Sequence, residues 1–381
     1  MKIAIIDTLG EHEGAFHFYS FGQCIGLINN NVKVSLYTNN ETKDPKIKGL
    51  DFFTFYHNIF SSKNKFLNGI KWILGSIISI LHARFSGVKI FHFHIFYTNI
   101  LVLFNLFLVK SLFAKVVITV HDVNSFSNQG SMVFFQKILY SMTDIVLTHN
   151  QFSKLEIQKM IDKKDLNIHI IPHGNYIPFI SIEDDKNISR KKLGLPVKNK
   201  ILLFFGLIKE VKGLEILLHS LKEVVNKFPD VVLVIAGKIW KNNFSKYQEI
   251  IDKHNLSKNC ILHTYFIKQE DVKHYYSAAD LVILPYKRIY QSGVLMMALS
   301  YQKPVLVSDL PPLKEVIIND FNGFVFKSED SNSLSSKLIS IFSNHEQLHK
   351  VAQQGSVDVT EKYDWNHIGS LTLGAYKSIY N

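Results

Sequence analysis

Two short stretches of the sequence combine residue types that bind anions. FFGLIKEVKG, residues 204–213, is an apolar run that ends at Gly206, followed by a loop carrying Lys209 and Lys212, with Gly213 at the opening of a helical pattern. Two ammonium groups beside a helix N-terminus suit a phosphate, although a solvated lysine pair in a surface loop would read the same way. IYQSGVLMMALSYQKPVLVSD, residues 289–309, puts Ser292 at an N-cap position and Gly293 where a ligand can approach the backbone, ahead of an apolar helix that leads into a strand. The amides of Gly293, Val294 and Leu295 are then expected to point out of the helix unsatisfied, as an anion cradle. A plain cap on a buried helix uses the same residues, but two anion-friendly loops at one sheet edge reinforce each other.

Histidine offers a second chemistry. His121 and Asp122 close KVVITVHD, and His173 closes IHIIPHG. At the carboxyl edge of a sheet, His121 and Asp122 can hydrogen-bond sugar hydroxyls or move a proton. His92 and His94 alternate in KIFHFH and share a strand face, but no third ligand at metal spacing accompanies them, so no metal is expected.

The elements that must position these residues follow from period and punctuation. KIAIID (2–7), VKVSLYT (32–38), KIFHFH (89–94), KVVITVHD (115–122), DIVLTHN (144–150) and IHIIPHG (168–174) read as strands with helical stretches between several of them. Apolar on both faces, they indicate a parallel sheet covered on two sides. ISIEDDKNISRKKLGLPVKNK (180–200) breaks the pattern with charge and reads as a linker. Strands then resume at 200–208, 231–238, 259–266, 280–286, 303–309 and 323–326, separated by helices at 213–228, 244–256, 268–279, 293–302 and 311–319. The expectation is an α/β protein of two doubly wound, Rossmann-like domains, 1–180 and 181–364, with a cleft between them, and a terminal helix (365–381) packed back on the first. Neither G-x-G-x-x-G nor G-x-x-x-x-G-K-[ST] follows any strand.

Composition narrows the class. The 381 residues, 47% hydrophobic and 20% charged, are those of a globular protein. No signal-peptide pattern marks the chain for secretion, and two distant cysteines, Cys24 and Cys260, fit a reducing cytoplasm. The net charge is +11, of which residues 1–175 contribute +6. With both halves basic, a single nucleic-acid face is disfavoured, and an anionic small ligand, the anionic inner leaflet of a membrane, or general solubility remain. WILGSIISILHA (72–83) and NILVLFNLFLV (99–109) are too short to span a bilayer. They are helices buried against a sheet or interfacial segments, and the stretch 72–85, flanked by Lys71 and Arg84, is the better candidate for membrane contact.

These residues resemble the retaining glycosyltransferases of family 4, also called group 1, which have the GT-B architecture. FFGLIKEVKG is similar to that family's strand-loop-helix with a basic residue and a Lys-Gly, and IPHGNY (171–176) to its Pro-His-Gly. QSGVLMMALSYQKPVLVSDLPPLKEVIINDFNGFVF (291–326) is similar to its most diagnostic region, including Lys-Pro-Val, Glu315 and Asn322-Gly323. The resemblance covers both domains, strongly over 200–326 and weakly over 1–115. It implies that Gly206, Lys209 and Lys212 hold the diphosphate of a UDP- or GDP-sugar, with Ser292, Gly293 and Val294 on the same group and Gly14 approaching from the other domain. It further implies that His121 and Asp122 lie at the transferred sugar as catalytic residues, that His173 and Glu315 contact the donor, and that no metal or further cofactor is needed, because these groups stabilise the leaving diphosphate. Ile289 and Met297 stand where most members carry two glutamates.

The implied activity is transfer of a hexose from a nucleotide-sugar to a glycan acceptor, lipid-linked, in cell-surface polysaccharide biosynthesis, with retention of anomeric configuration. The implied partners are donor and acceptor, with no nucleic acid; the basic charge and the 72–85 stretch add contact with an anionic membrane surface, and the expected place is the cytoplasm, peripheral to the inner face of the plasma membrane. A nucleotide-sugar epimerase or phosphorylase of the same architecture, or a non-catalytic nucleotide-sugar-binding protein, shares these features.

Overall fold

In the computed structural model the described residues are 1–380 except 13, 15, 124–130, 162–165, 183–184 and 242. The chain opens with β1 (Lys2–Asp7), α1 (Phe16–Asn29), β2 (Lys33–Asn39), β3 (Leu50–Tyr56), α2 (Lys65–Phe85), β4 (Ile90–Ile95) and α3 (Ile100–Ser111). It continues with β5 (Lys115–Val120), α4 (Ser131–Ser141), β6 (Ile145–Thr148), α5 (Gln151–Met160) and β7 (Ile168–Ile170). The strands form one seven-stranded sheet in the order β3-β2-β1-β4-β5-β6-β7, parallel throughout. Strand order reverses between β1 and β4, so right-handed crossovers put α1 on one face and α2 to α5 on the other. β3 has no counterpart among the strands expected from sequence. It is an edge strand, half-exposed along most of its length, and so lacks the continuous apolar run of its neighbours.

A second unit holds α6 (Lys186–Lys192), β8 (Lys200–Phe205), α7 (Leu214–Lys227), β9 (Val231–Ala236), α8 (Ser245–Lys253), β10 (Cys260–His263) and α9 (Gln269–Ala278). After these come β11 (Leu281–Leu284), α10 (Gly293–Ser300), β12 (Val305–Ser308), α11 (Pro311–Lys314), β13 (Phe324–Phe326), α12 (Ser331–Ser343) and α13 (His345–Lys362). Its six parallel strands run β10-β9-β8-β11-β12-β13, with the reversal between β8 and β11. Leucine, isoleucine and phenylalanine from β8, β9, α7 and α12 fill the core on one face of this sheet.

Two sequence expectations are corrected here. Residues 180–200 are not a bare linker: Asp185 caps α6 by accepting from the amides of Asn187 and Ile188, and Arg190 is buried. The Arg190 guanidinium donates to Asp280 Oδ2 at 2.7 Å and to the Ala278 carbonyl, so this one charge of the run points inward. The helix expected over 311–319 stops at Lys314. Buried Asn322 accepts from the Ile318 amide at 2.7 Å and donates to the Val316 carbonyl at 3.0 Å, drawing the chain out of helical register.

The chain divides into Met1–Gly174 with Tyr363–Asn381, and Asn175–Lys362. The last helix described, α14 (Trp365–Lys377), thus groups with the first unit and packs on α1. A methyl group on Gly22 would lie 2.0 Å, and one on Gly174 2.5 Å, from the Trp365 ring, so glycine makes the space this indole fills.

Candidate active site

The second unit brings its anion-binding candidates to the switch point between β8 and β11, where open α/β sheets leave a crevice outside the strand ends. Beyond β8 the chain turns at Gly206 (φ +102°), and Gly237 (φ +144°) lets the β9 loop approach so closely that a methyl group there would lie 2.0 Å from the Gly206 carbonyl oxygen. Gly213 (φ +65°) opens α7, and a methyl group on it would sit 1.9 Å from the Pro285 carbonyl. The Lys287 amide donates to the Val211 carbonyl at 2.9 Å, so the loops after β8 and β11 are tied together. Lys212 Nζ lies 3.9 Å from the centre of the Tyr286 ring, and Lys209 Nζ 4.9 Å from that of Trp240. The ammonium groups are therefore steered by aromatic faces, toward the β11 loop for Lys212 and the β9 loop for Lys209.

Ser292 caps α10 as expected, but its Oγ accepts from the Leu295 amide at 3.1 Å. Only the Gly293 and Val294 amides, rather than three, have no acceptor among the described residues. Tyr176 supports this helix start: its amide donates to Ser300 Oγ at 2.9 Å, and its hydroxyl would lie 2.9 Å from a methyl group on Gly293. A methyl on Gly206 would stand 3.4 Å from the Val294 side chain, which fixes how near the β8 loop comes to the α10 N-terminus. Gly206, Lys212, Ser292, Gly293 and Val294 thus share one corner, favourable to a diphosphate because helix amides and an ammonium group converge there. Glu315 stands exposed at the C-cap of α11.

In the first unit, Asp7 shapes the loop after β1. Its Oδ1 accepts from the Leu9 and Gly10 amides, and its Oδ2 from Ser20 Oγ at 2.6 Å. Gly14 lies farther along this loop, at the β1/β4 reversal, where a methyl group would meet only the Phe16 ring, at 3.3 Å.

His121 sits in a row of imidazoles. β4, β5 and β6 are neighbours with β7 beyond, and His94, His121, His149 and His173 occur at or just after their carboxyl ends. The strand spacing sets successive ring centres 5.4, 4.9 and 5.5 Å apart, and the Tyr19 ring meets all four edge-on. The protons can be assigned by elimination. His149 Nδ1 faces the Ile171 carbonyl at 3.0 Å and must donate, so His149 Nε2 accepts from His121 Nδ1 at 3.1 Å. His121 Nε2 then accepts from His94 Nδ1, also at 3.1 Å. His94 Nε2 keeps a lone pair and faces the Gln23 amide, whose nitrogen is otherwise buried without a partner. The series closes when Gln23 presents its NH₂ to His94, and all the hydrogen bonds then point one way, from Gln23 to Ile171.

Burial keeps these rings neutral. It holds His121 well below the usual imidazole range, His94 and His173 at about 4 and His149 at about 3. In this arrangement both nitrogens of His121 are engaged by other imidazoles. Asp122, next to it, is half-buried. His173 Nδ1 donates to the Gly174 carbonyl at 2.7 Å. His92 is occupied as well, by Tyr376 and Thr119. Sequence reasoning missed His149, Gln23, Tyr176 and Tyr286. Histidine at successive parallel strand ends was a readable signal for the first, whereas the other three carry none.

Comparison with known proteins follows from this geometry. Residues 185–357 match the family described as glycosyl transferases group 1. A GDP-mannose:glycolipid 4-beta-D-mannosyltransferase of Xanthomonas campestris is 29% identical over 178 residues, 46% of this chain and 48% of that one. The first curated relatives matched by sequence are spanned over 51% to 68% of their own length. Among solved structures, sucrose-phosphate synthase from Thermosynechococcus elongatus superposes with a TM-score of 0.77 at 16% identity, covering 100% of this chain and 99% of that one. Anabaena HepE in complex with UDP-glucose gives 0.73 at 16% identity, with 100% of both chains covered. The two parallel-sheet units are those of the GT-B fold, and residues 185–357 carry the match to the group 1 glycosyltransferases.

Proposed function

We propose that the protein transfers a hexose from a UDP- or GDP-sugar to a lipid-linked glycan acceptor in surface polysaccharide assembly, with retention at the anomeric carbon, on the cytoplasmic side of the plasma membrane. The observation that carries the donor part is the corner at the β8/β11 reversal, where Lys212 and the Gly293 and Val294 amides meet at the start of an apolar helix. As the glycosidic bond breaks, charge grows on the leaving diphosphate, and amides and ammonium groups already held in place stabilise it without reorganising. Lys209, Gly206, Ser292 and Gly14 are assigned to the same diphosphate, and His173 and Glu315 to the donor. His121 and Asp122 are assigned to the transferred sugar, with His121 acting as a neutral, hydrogen-bonded ring. Both nucleotides stay in the proposal because GDP-mannose is named for one relative and UDP-glucose for one structural neighbour.

Titration calorimetry with UDP- and GDP-sugars tests the reading. Lys212→Ala should weaken donor binding by about 2 kcal/mol, the scale of a charge-assisted contact to a desolvated phosphate. Unchanged affinity in that variant sinks the site assignment. Conversion of the sugar with no acceptor present would favour an epimerase.

A further inference from the structure

α2 is built inside out. Its buried positions are Gly75, Ser76, Ser79, Ile80 and Ala83, mostly small, and a methyl group on Gly75 would lie 2.7 Å from the Tyr56 ring. Its outward positions Leu67, Ile70, Leu74, Ile78 and Phe85 are large, apolar and exposed. At helical spacing they make one stripe along the 21-residue helix, a length of about 31 Å at 1.5 Å per residue. A soluble surface helix places its large apolar residues the other way round. The helix is long and apolar enough to cross a membrane, yet its small face is committed to the sheet, so only the outer stripe is available.

The adjacent helix ends in a second anomaly. α2 and α3 finish in the same turn geometry: Val88 donates to Ala83 and Gly87 to Arg84, just as Ala114 donates to Val109 and Phe113 to Lys110. The left-handed residue is Gly87 in α2 but Phe113 in α3, at φ +54°. A bulky side chain there costs stability, and Phe113 is 95% exposed, so folding recovers nothing from it. The Arg84 side chain donates to the Leu112 carbonyl at 3.1 Å, which keeps the two helix ends, and with them Phe85 and Phe113, at the same edge of the sheet.

Charge identifies the occupant. Residues 52–121, which contain both helices, hold seven Lys or Arg and no Asp or Glu. The rest of residues 1–175 carries 10 Lys or Arg against 11 Asp or Glu, so this stretch accounts for the whole positive excess of the first unit. Asp144 pairs with two of the seven, Lys110 and Lys115, which leaves Lys63, Lys65, Lys71, Arg84 and Lys89. Such a basic excess beside exposed apolar side chains matches an anionic bilayer interface, where lysine and arginine meet headgroups and aromatic rings enter the acyl boundary.

We propose that the outer faces of α2 and α3 form an interfacial docking surface for an anionic lipid bilayer, with α2 lying in the membrane plane and Phe85 and Phe113 inserted together. This gives a lipid-linked acceptor its place and rests on the proposed function for that purpose only.

The test is co-sedimentation of the full chain, without donor, with phosphatidylcholine vesicles that contain or lack phosphatidylglycerol, at low and high salt. Binding should require phosphatidylglycerol and weaken with salt. Phe85→Ser combined with Phe113→Ser should lower partitioning by roughly tenfold or more at unchanged Tm, given the apolar area withdrawn from the membrane. Phe321→Ser, at an exposed ring in the other unit, should leave it unchanged. No binding by the wild type, or equal binding by the double variant, overturns the surface. So does a dimer that the double variant converts to monomer without vesicles, which would make this a chain-to-chain interface. Vesicle binding by a protein that fails to bind any nucleotide-sugar keeps the surface and removes the proposed function instead.

Discussion

The carboxyl edge of the second sheet presents half-buried lysines and two helix amides that have no acceptor among the described residues, whereas the same edge of the first sheet presents a buried row of neutral imidazoles bonded to one another, to Gln23 and to the Ile171 and Gly174 carbonyls. Both edges sit at or beside a reversal of strand order, so topology alone does not decide what such an edge does. Where hydrogen-bonding capacity is left over, a charged ligand can be held. Where it is consumed internally, the edge becomes a rigid wall whose shape and neutrality matter.

The largest expected effect comes from closing the space on the second edge. Gly213→Ala sets a methyl group against the Pro285 carbonyl and keeps a left-handed φ, and should cost about 4 kcal/mol in chemical unfolding, together with nucleotide binding. Unaltered stability would mean that the two loops are not locked as described. On the first edge, His121→Leu strands the His94 Nδ1 proton and the His149 Nε2 lone pair in a buried place, for about 3 kcal/mol. UDP affinity should hardly change; a variant that unfolds normally but loses UDP would erase the contrast between the edges.

Acid should separate the edges further. His94 and His173 titrate at about 4 in the folded chain against 6.5 when unfolded. As pH falls from 6.5 toward about 4, the unfolded chain gains protons that the folded one refuses, so stability declines over that window and is insensitive to these groups above it. Urea midpoints measured between about pH 7.5 and 5 check the sign, and a flat profile contradicts the buried neutral row. Smallest is Ser292→Ala, which removes the cap on Leu295 for about 1 kcal/mol. Its effect on UDP affinity should be smaller than that of Lys212→Ala, and the reverse order would make Ser292 a ligand first and a cap second.

Much of this was legible because parallel strands buried on both faces are apolar runs, and because helix starts that hold anions use glycine, serine and lysine. β3 was invisible because an edge strand need not be apolar throughout. α6 was misread because a charged run does not say that Arg190 will meet Asp280, ninety residues on. The histidine row was half legible: strand ends placed His94, His121 and His173, but their mutual hydrogen bonds depend on strand order, which the sequence does not state. The charge of the first unit was averaged away, since a net value over residues 1–175 conceals a long stretch without acids beside a balanced remainder.

The return of α14 to the first unit bears on how the chain is made. Trp365 fills a space left by Gly22, Gly26 and Gly174, so the wall of the first unit is a piece synthesised after the whole of the second. Domains usually complete in the order in which they leave the ribosome. Here residues 1–174 stay open, with α1 uncovered, until residues 363–377 emerge, while residues 175–362 have everything they need beforehand. A premature stop just before Trp365 would therefore spare the later-made unit and unroof the earlier one.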